Sequence, residues 1–277
     1  MACKTRIAPT PSGYLHIGNA FNFLLVETIA QKTGAKVLLR IDDLDAARKR
    51  TEYVEDIFET INWLQINIHE GPAGIEDFEK NWSQHTRSEL YDEALKKLRE
   101  KELLFACDCS RSTLKGFNVY PNVCLNKPLS LDKAQLAWRI KIEGNEIIYF
   151  EDKIAGSCQI DLREHPGSFI VKTKSGTASY QLASLIDDLH FGITHLVRGN
   201  DLTESTAQQL FLSNHLGLKS FSSVLFFHHA LLKDPVGKKL SKSTSSTSLK
   251  YLRQNGISPS DIRHSFSEWL SSFQISW

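Results

Sequence analysis

From Ala20 to Thr33 the sequence is apolar on nearly every side of a helix, and such a helix has no face to offer water, so it must be enclosed between two layers. Its flanks supply one of them. Lys4-Thr-Arg-Ile-Ala8 before it and Lys36-Val-Leu-Leu-Arg-Ile41 after it are short, mostly apolar runs of the kind that buried parallel strands carry. Strand, enclosed helix and strand in that order form a β-α-β unit, which commits the chain to an α/β architecture with both sheet faces covered.

The remaining pattern divides the chain. Thr51 to Leu64 places Tyr53, Val54, Ile57, Phe58, Ile61 and Leu64 on one helical stripe, and Ser88 to Lys101 repeats this with Leu90, Tyr91, Ala94, Leu95 and Leu98. Near Cys107 the texture changes to short strand-like pieces, 137–142, 147–150, 157–161 and 168–173, separated by Gly, Pro and charged turns. Helical patterning resumes at Tyr180 to Leu189, followed by strand 194–198, helix 205–216 and strand 224–227. The expectation is an α/β catalytic domain in two halves, 1–104 and 180–243, an inserted α+β domain over 105–179, and a short helical tail over 244–277. A chain of 277 residues buries ~70–75% of the surface exposed when unfolded, enough for one large or two modest domains.

Net charge is only +1, so bulk composition does not argue for nucleic-acid binding, and any such contact rests on local clusters such as Arg48-Lys-Arg50 and Lys233 to Lys242. No apolar run approaches the ~20 residues that span a bilayer, and the N-terminus lacks the pattern of a secretory leader, so a cytoplasmic protein without membrane contact is expected. Of the five cysteines, Cys107, Cys109 and Cys124 crowd together in a C-x-C spacing plus a third thiol beyond a loop. That arrangement reads as a metal site rather than a disulfide framework, and three thiolates with a fourth ligand make a closed, structural Zn²⁺ site. No fourth Cys and no His lies nearby. Cys3 and Cys158 are left as free thiols.

Two further segments describe a nucleotide site. Pro11-Ser-Gly-Tyr-Leu-His-Ile-Gly-Asn19 sets a histidine and a glycine at the mouth of the first helix, where backbone can approach a nucleotide and the helix N-terminus faces its charge. Gly237-Lys-Lys-Leu-Ser-Lys-Ser243 puts three lysines on a Gly/Ser-rich stretch beside a different strand of the sheet. Together they resemble the HIGH and KMSKS signatures of the class I aminoacyl-tRNA synthetases, with Asn19 in place of the last histidine and Leu240 in place of the methionine. The resemblance implies a Rossmann-like catalytic domain in which a carboxylate attacks the α-phosphorus of ATP. His16 then donates to the phosphates, Gly18 and Asn19 border them, Lys242 neutralises developing charge, Lys239 assists at the rim and Lys238 stays outside the chemistry. Mg²⁺ accompanies the ATP by the nature of the reaction.

Within that class, Arg6-Ile-Ala-Pro-Thr-Pro-Ser-Gly13, Arg40-Ile-Asp-Asp-Leu-Asp45, Tyr180-Gln-Leu-Ala-Ser-Leu-Ile-Asp-Asp188 and Val197-Arg-Gly-Asn-Asp-Leu202 resemble the glutamyl branch. The resemblance implies that Arg6 and Arg198 hold the acidic groups of glutamate, Tyr180 lines the pocket, Asp42 receives the ammonium, and Ala8 and Thr10 close the site. The physics agrees, because two guanidinium groups fork onto carboxylates whereas glutamine leaves a buried donor against a neutral amide. Asp42 departs from the glutamate more usual in that branch, and Gln181 from the asparagine. The pattern Cys107, Cys109, Tyr120, Cys124 is similar to that of short glutamyl-synthetase paralogues, which implies Tyr120 as the fourth zinc ligand. About 30 residues follow Lys242, fewer than an anticodon-reading domain needs. That resemblance implies a protein that activates L-glutamate without RNA and transfers it to queuosine of tRNA(Asp), and a monomer is expected. The competing expectations are a truncated conventional glutamyl-tRNA synthetase, an inactive RNA-binding paralogue and a small-molecule nucleotidyltransferase.

Overall fold

A computed structural model describes residues 3–144, 146–232 and 248–275. Strands β1 (Lys4–Ile7) and β2 (Lys36–Leu39) pair in parallel with Arg6 beside Leu38, and α1 (Ile17–Thr33) connects them. Phe23, Leu24, Leu25 and Val26, four consecutive residues and hence every side of the helix, are buried. One side meets the sheet. The other is covered by α8 (Pro259–Leu270), whose Phe266 and Trp269 rings lie 5.7 and 5.4 Å from Phe21. The helix stops where Gly34 takes the left-handed conformation (φ 67°) and returns its N–H to the Ala30 carbonyl.

The main sheet continues with β8 (His195–Gly199) and β9 (Leu225–His229), which pair in parallel and are joined by α6 (Thr203–Leu216). Its strand order is β2-β1-β8-β9-β5-β6, where β5 (Ile147–Asp152) and β6 (Gly156–Asp161) form a hairpin. β5 runs parallel to β9 with Asp152 beside Phe226. The segment expected as an insertion therefore serves two sheets. Its hairpin covers the outer edge of β9, and β3 (Leu104–Cys107), β4 (Ala137–Ile140) and β7 (Ile170–Lys172) make a separate antiparallel sheet. The hairpin is locked by one buried carboxylate: Asp152 Oδ2 accepts both the backbone N–H of His228 (3.0 Å) and its ring N–H (2.6 Å).

Helices α2 (Thr51–Trp63), the single turn α3 (Ile75–Asp77), α4 (Ser88–Glu100) and α5 (Tyr180–His190) complete the layers, α4 and α5 sharing a second apolar core with α6. The short α7 (Leu249–Gln254) is tied to the front of the molecule, since Leu249 N–H donates to the Leu15 carbonyl at 2.7 Å and Arg253 bonds Asp56 at 2.8 Å. Asp56 is buried and its other oxygen accepts the Leu15 N–H at 2.9 Å. Among the described residues, no helix is long and apolar enough to cross a membrane.

Candidate active site

β1 and β8 are neighbours in the sheet, but their connections leave in opposite directions, through α1 toward β2 and through α6 toward β9. Such a switch point opens a crevice beyond the carboxyl ends of the two strands, where ligands bind in open parallel sheets. A cavity of about 370 Å³ lies there, and Arg6, Ala8, Thr10, His16, Gly18, Asn19, Tyr180 and Arg198 all line it. Eight residues singled out from sequence are thus brought together by the fold.

The HIGH-like segment works as a helix cap. His16 is the N-cap of α1 in extended conformation (φ −117°, ψ 171°); its Nδ1 accepts the Gly18 N–H at 3.1 Å, and the Asn19 side chain accepts the His16 N–H at 3.0 Å. This reciprocal pairing satisfies donors that would otherwise be orphaned at the helix start. It also sets the tautomer: with Nδ1 accepting, the neutral ring carries its proton on Nε2. Gly18 is required by contact, since a Cβ there would lie 2.9 Å from His16 Cε1.

The two arginines are held differently. Arg6 donates Nε–H to Asp188 Oδ1 at 2.9 Å and Nη1–H to the Val197 carbonyl at 3.1 Å. Arg198, only 3% exposed, donates Nη2–H to Gln209 Oε1 at 2.7 Å, while its Nε and Nη1 have no hydrogen-bond partner among the described residues. Burial lowers the pKa of Arg198, with Arg6 adding to the effect and Tyr180 and Asp188 opposing it. Asp201 also lines the cavity. Asp187 and Asp188, which sequence alone left without a role, organise the charges behind the pocket. Asp188 Oδ1 also accepts Arg40 Nη1–H at 2.7 Å, and Asp187 accepts Arg87 Nε–H at 2.8 Å.

Asp42 stands apart from the group. Arg40 grips both of its oxygens at 2.7 and 3.0 Å, and the residue lines a second cavity of about 600 Å³ that shares Thr10 and Tyr180 with the first. Asn22, His229 and Trp269 also line the first cavity and were not foreseen there. Asn22 Nδ2 and His229 Nε2 lie 3.0 Å apart, and burial lowers the His229 pKa. Asn22 follows Asn19 by one helical spacing, a signal that could have found it. The adjacent His228 and His229 point to opposite faces, as expected for neighbours on a strand: His228 reaches Thr206 on α6 at 2.7 Å, His229 reaches α1. Lys238, Lys239 and Lys242 lie outside the described residues, as does Trp277.

The cysteine cluster forms at the end of β3. The Sγ atoms of Cys107, Cys109 and Cys124 all lie within 4.8 Å of one another, with Cys109 and Cys124 at 3.4 Å. The Tyr120 hydroxyl lies 3.4 Å from Cys107 Sγ and 3.9 Å from Cys109 Sγ. Tetrahedral ligation at Zn–S of about 2.3 Å requires sulfurs about 3.8 Å apart, so the donor set fits such an ion. Burial works to raise the Cys107 thiol, yet hydrogen bonds from Tyr120 and Arg139 bring it down to about 7, whereas burial and the two neighbouring thiols push Cys109 up to about 11. One thiolate is thus already favoured within a cluster that a cation would complete.

Family comparison defines the class first. Residues 2–121 and 126–267 match the family of tRNA synthetases class I (E and Q), catalytic domain, and the chain belongs to it. The fold agrees: glutamate-tRNA ligase from Elizabethkingia meningosepticum, solved in complex with its amino acid, matches at a TM-score of 0.73 and 23% identity over 92% of this chain and 53% of that one. The chain spans about half the length of that solved structure. Glutamyl-Q tRNA(Asp) synthetase of Pseudomonas syringae pv. syringae is 36% identical across 90% of this chain and 79% of its own length, and that of Symbiobacterium thermophilum is 34% identical across 93% and 83%. Glutamate--tRNA ligase 1 of Roseobacter denitrificans is 32% identical, but only 59% of its length is covered. Within the class, the chain belongs with the glutamyl-Q tRNA(Asp) synthetases.

Proposed function

We propose that this protein is an ATP-dependent ligase that activates L-glutamate without RNA and transfers it to the queuosine at the wobble position of tRNA(Asp). The observation that carries the amino-acid half of this reading is Arg198, whose two unpartnered, buried N–H donors sit in the cavity wall beside Arg6. Buried donors without partners are costly, and a bound carboxylate supplies both at once. Glutamate fits such a wall and glutamine does not.

In the first step a carboxylate oxygen of glutamate attacks the α-phosphorus of ATP, the bond to pyrophosphate breaks, and a mixed anhydride forms. The His16 Nε2–H and the positive end of the α1 dipole stabilise charge on the phosphates, with Gly18 and Asn19, which close the cap around His16, bordering them. Lys242 and Lys239 complete the neutralisation, a role read from sequence, and Mg²⁺ enters with the ATP. Tyr180, Ala8 and Thr10 enclose the amino acid. Asp42 takes the ammonium from the direction of the second cavity, its charge shared with Arg40. In the second step a ring hydroxyl of queuosine attacks the activated carbonyl, giving an ester and releasing AMP. Cys107, Cys109, Tyr120 and Cys124 hold a structural Zn²⁺ that would fix the start of the antiparallel sheet. The protein would work in the cytoplasm as a monomer.

The test offers labelled glutamate and ATP to the protein with tRNA(Asp) carrying queuosine, the same tRNA with guanosine at that position, and tRNA(Glu). Glutamate-dependent exchange of pyrophosphate into ATP is expected without any RNA, with label retained only on the queuosine form and surviving removal of the terminal adenosine. Label on the 3′ end of tRNA(Glu) would make this a conventional charging enzyme. Absence of exchange would leave an inactive paralogue.

A further inference from the structure

Four buried arginines lie in the wall of the candidate amino-acid pocket or in the charge network behind it, and three of them are matched by carboxylates. Arg6 bonds Asp188, Arg40 bonds Asp42 and Asp188, and Arg87 bonds Asp187. Arg198 is the exception. Among the described residues its side-chain hydrogen bond is to the amide oxygen of Gln209, at 2.7 Å, the Tyr180 hydroxyl adds to its environment, and no carboxylate forms an ion pair with it. Gln209 is itself fully buried on α6.

The amide has one orientation available. Its Nε2 donates to the backbone carbonyl of Gln181 on α5 at 3.3 Å, which turns Oε1 toward Arg198. The other flank of Arg198 is also closed to compensation. His228 lies beside it in register on β9, but both ring nitrogens are engaged, by Asp152 at 2.6 Å and Thr206 at 2.7 Å. The Asp152 charge is thereby committed to His228 and to the backbone N–H groups of Ile154 and Ala155.

We propose that Gln209 is a specificity-determining positioning residue, which holds Arg198 in place with an uncharged acceptor so that the guanidinium keeps its charge, and two of its donors, for a carboxylate on the substrate. The inference rests on the glutamate reading above and deepens it. A neutral holder is needed because a carboxylate at this point would pair with Arg198 permanently, and the substrate's acid would then meet an ion pair instead of a cation. A neutral amide side chain would be received there equally well. An apolar holder of the same size would leave the charge but release the guanidinium from its angle.

These alternatives separate in two variants, Gln209→Glu and Gln209→Met, each assayed for pyrophosphate exchange with glutamate and with glutamine, alongside calorimetric titration of glutamate. In Gln209→Glu the KM for glutamate should rise about 10- to 100-fold with kcat and the KM for ATP changing far less, and the preference for glutamate over glutamine should fall by a similar factor. Gln209→Met should weaken glutamate less and keep the preference. A Gln209→Glu protein as selective as wild type overturns this inference alone. So does a loss of glutamate and ATP binding together in both variants, which would mark Gln209 as packing only. Wild-type protein that exchanges with neither amino acid, or equally with both, overturns the substrate reading and this inference with it.

Discussion

Replacing Asp187 by Asn should unfold this protein more readily than any surface change, and the size of the effect can be worked from its contacts. Asp187 is fully buried; Oδ1 accepts Arg87 Nε–H (2.8 Å) and the Tyr91 hydroxyl (2.7 Å), and Oδ2 accepts Gln84 Nε2–H (2.8 Å) and Arg87 Nη2–H (3.2 Å). Arg6, Arg40 and Arg87 are balanced here by Asp42, Asp187 and Asp188. The substitution turns one acceptor oxygen into an NH₂ group facing other donors and leaves one buried guanidinium uncompensated. Breaking a buried pair in this way costs about 3–5 kcal/mol, which lowers the melting temperature by roughly 6–20 °C at this size. Urea titration with an unchanged m-value is the assay, and a loss under about 1 kcal/mol would refute the account. Removing both charges, Asp187→Leu with Arg87→Met, should recover only part of the loss, because no orphaned ion remains but the Tyr91 hydroxyl and the Gln84 amide lose their acceptor. The acid dependence has a definite sign. Burial works to raise the Asp187 carboxyl, but Arg40, Arg87 and Gln84 outweigh it and hold the pKa below its ordinary value. Its contribution to stability is therefore full above the unfolded value of about 3.9 and is lost as pH falls through the depressed folded value. Asp187→Asn should flatten the stability profile across that acid range.

Two further outcomes follow from particular contacts. In Gly18→Ala the added methyl would fall 2.9 Å from His16 Cε1 and 3.0 Å from Nδ1, displacing the imidazole; pyrophosphate exchange should drop roughly 100-fold with the melting temperature little changed, and an unaltered rate would refute the placement of His16. Protein never exposed to chelator should carry one Zn²⁺ per chain by metal analysis, and Cys109→Ser should lose it and loosen residues around Cys107 and Tyr120 before nucleotide binding suffers. Well under one equivalent in the unaltered protein would refute the zinc reading.

The parts of this protein that sequence determines by itself are those whose information is local or periodic. An all-round apolar run has to be an enclosed helix, so the β-α-β opening was readable, and so was the cap built by His16, Gly18 and Asn19, whose members lie within one turn. The cysteine spacing likewise places its sulfurs close together through a strand and a single loop. Partners were another matter. Pattern records that a face is buried but not what it meets, so nothing in the sequence pairs Arg6 with Asp188, 182 residues on, or Arg198 with Gln209, and the fold does both. Asp42, adjacent to the pocket in motif, is drawn by Arg40 to a neighbouring cavity. The hairpin of β5 and β6 reads as part of a separate insertion until Asp152 joins it to β9, 76 residues away. Which carboxylate compensates which arginine, and which arginine is left charged for a ligand, is decided by distances of a few ångströms between strands and helices far apart in the chain, and only the assembled tertiary structure sets them.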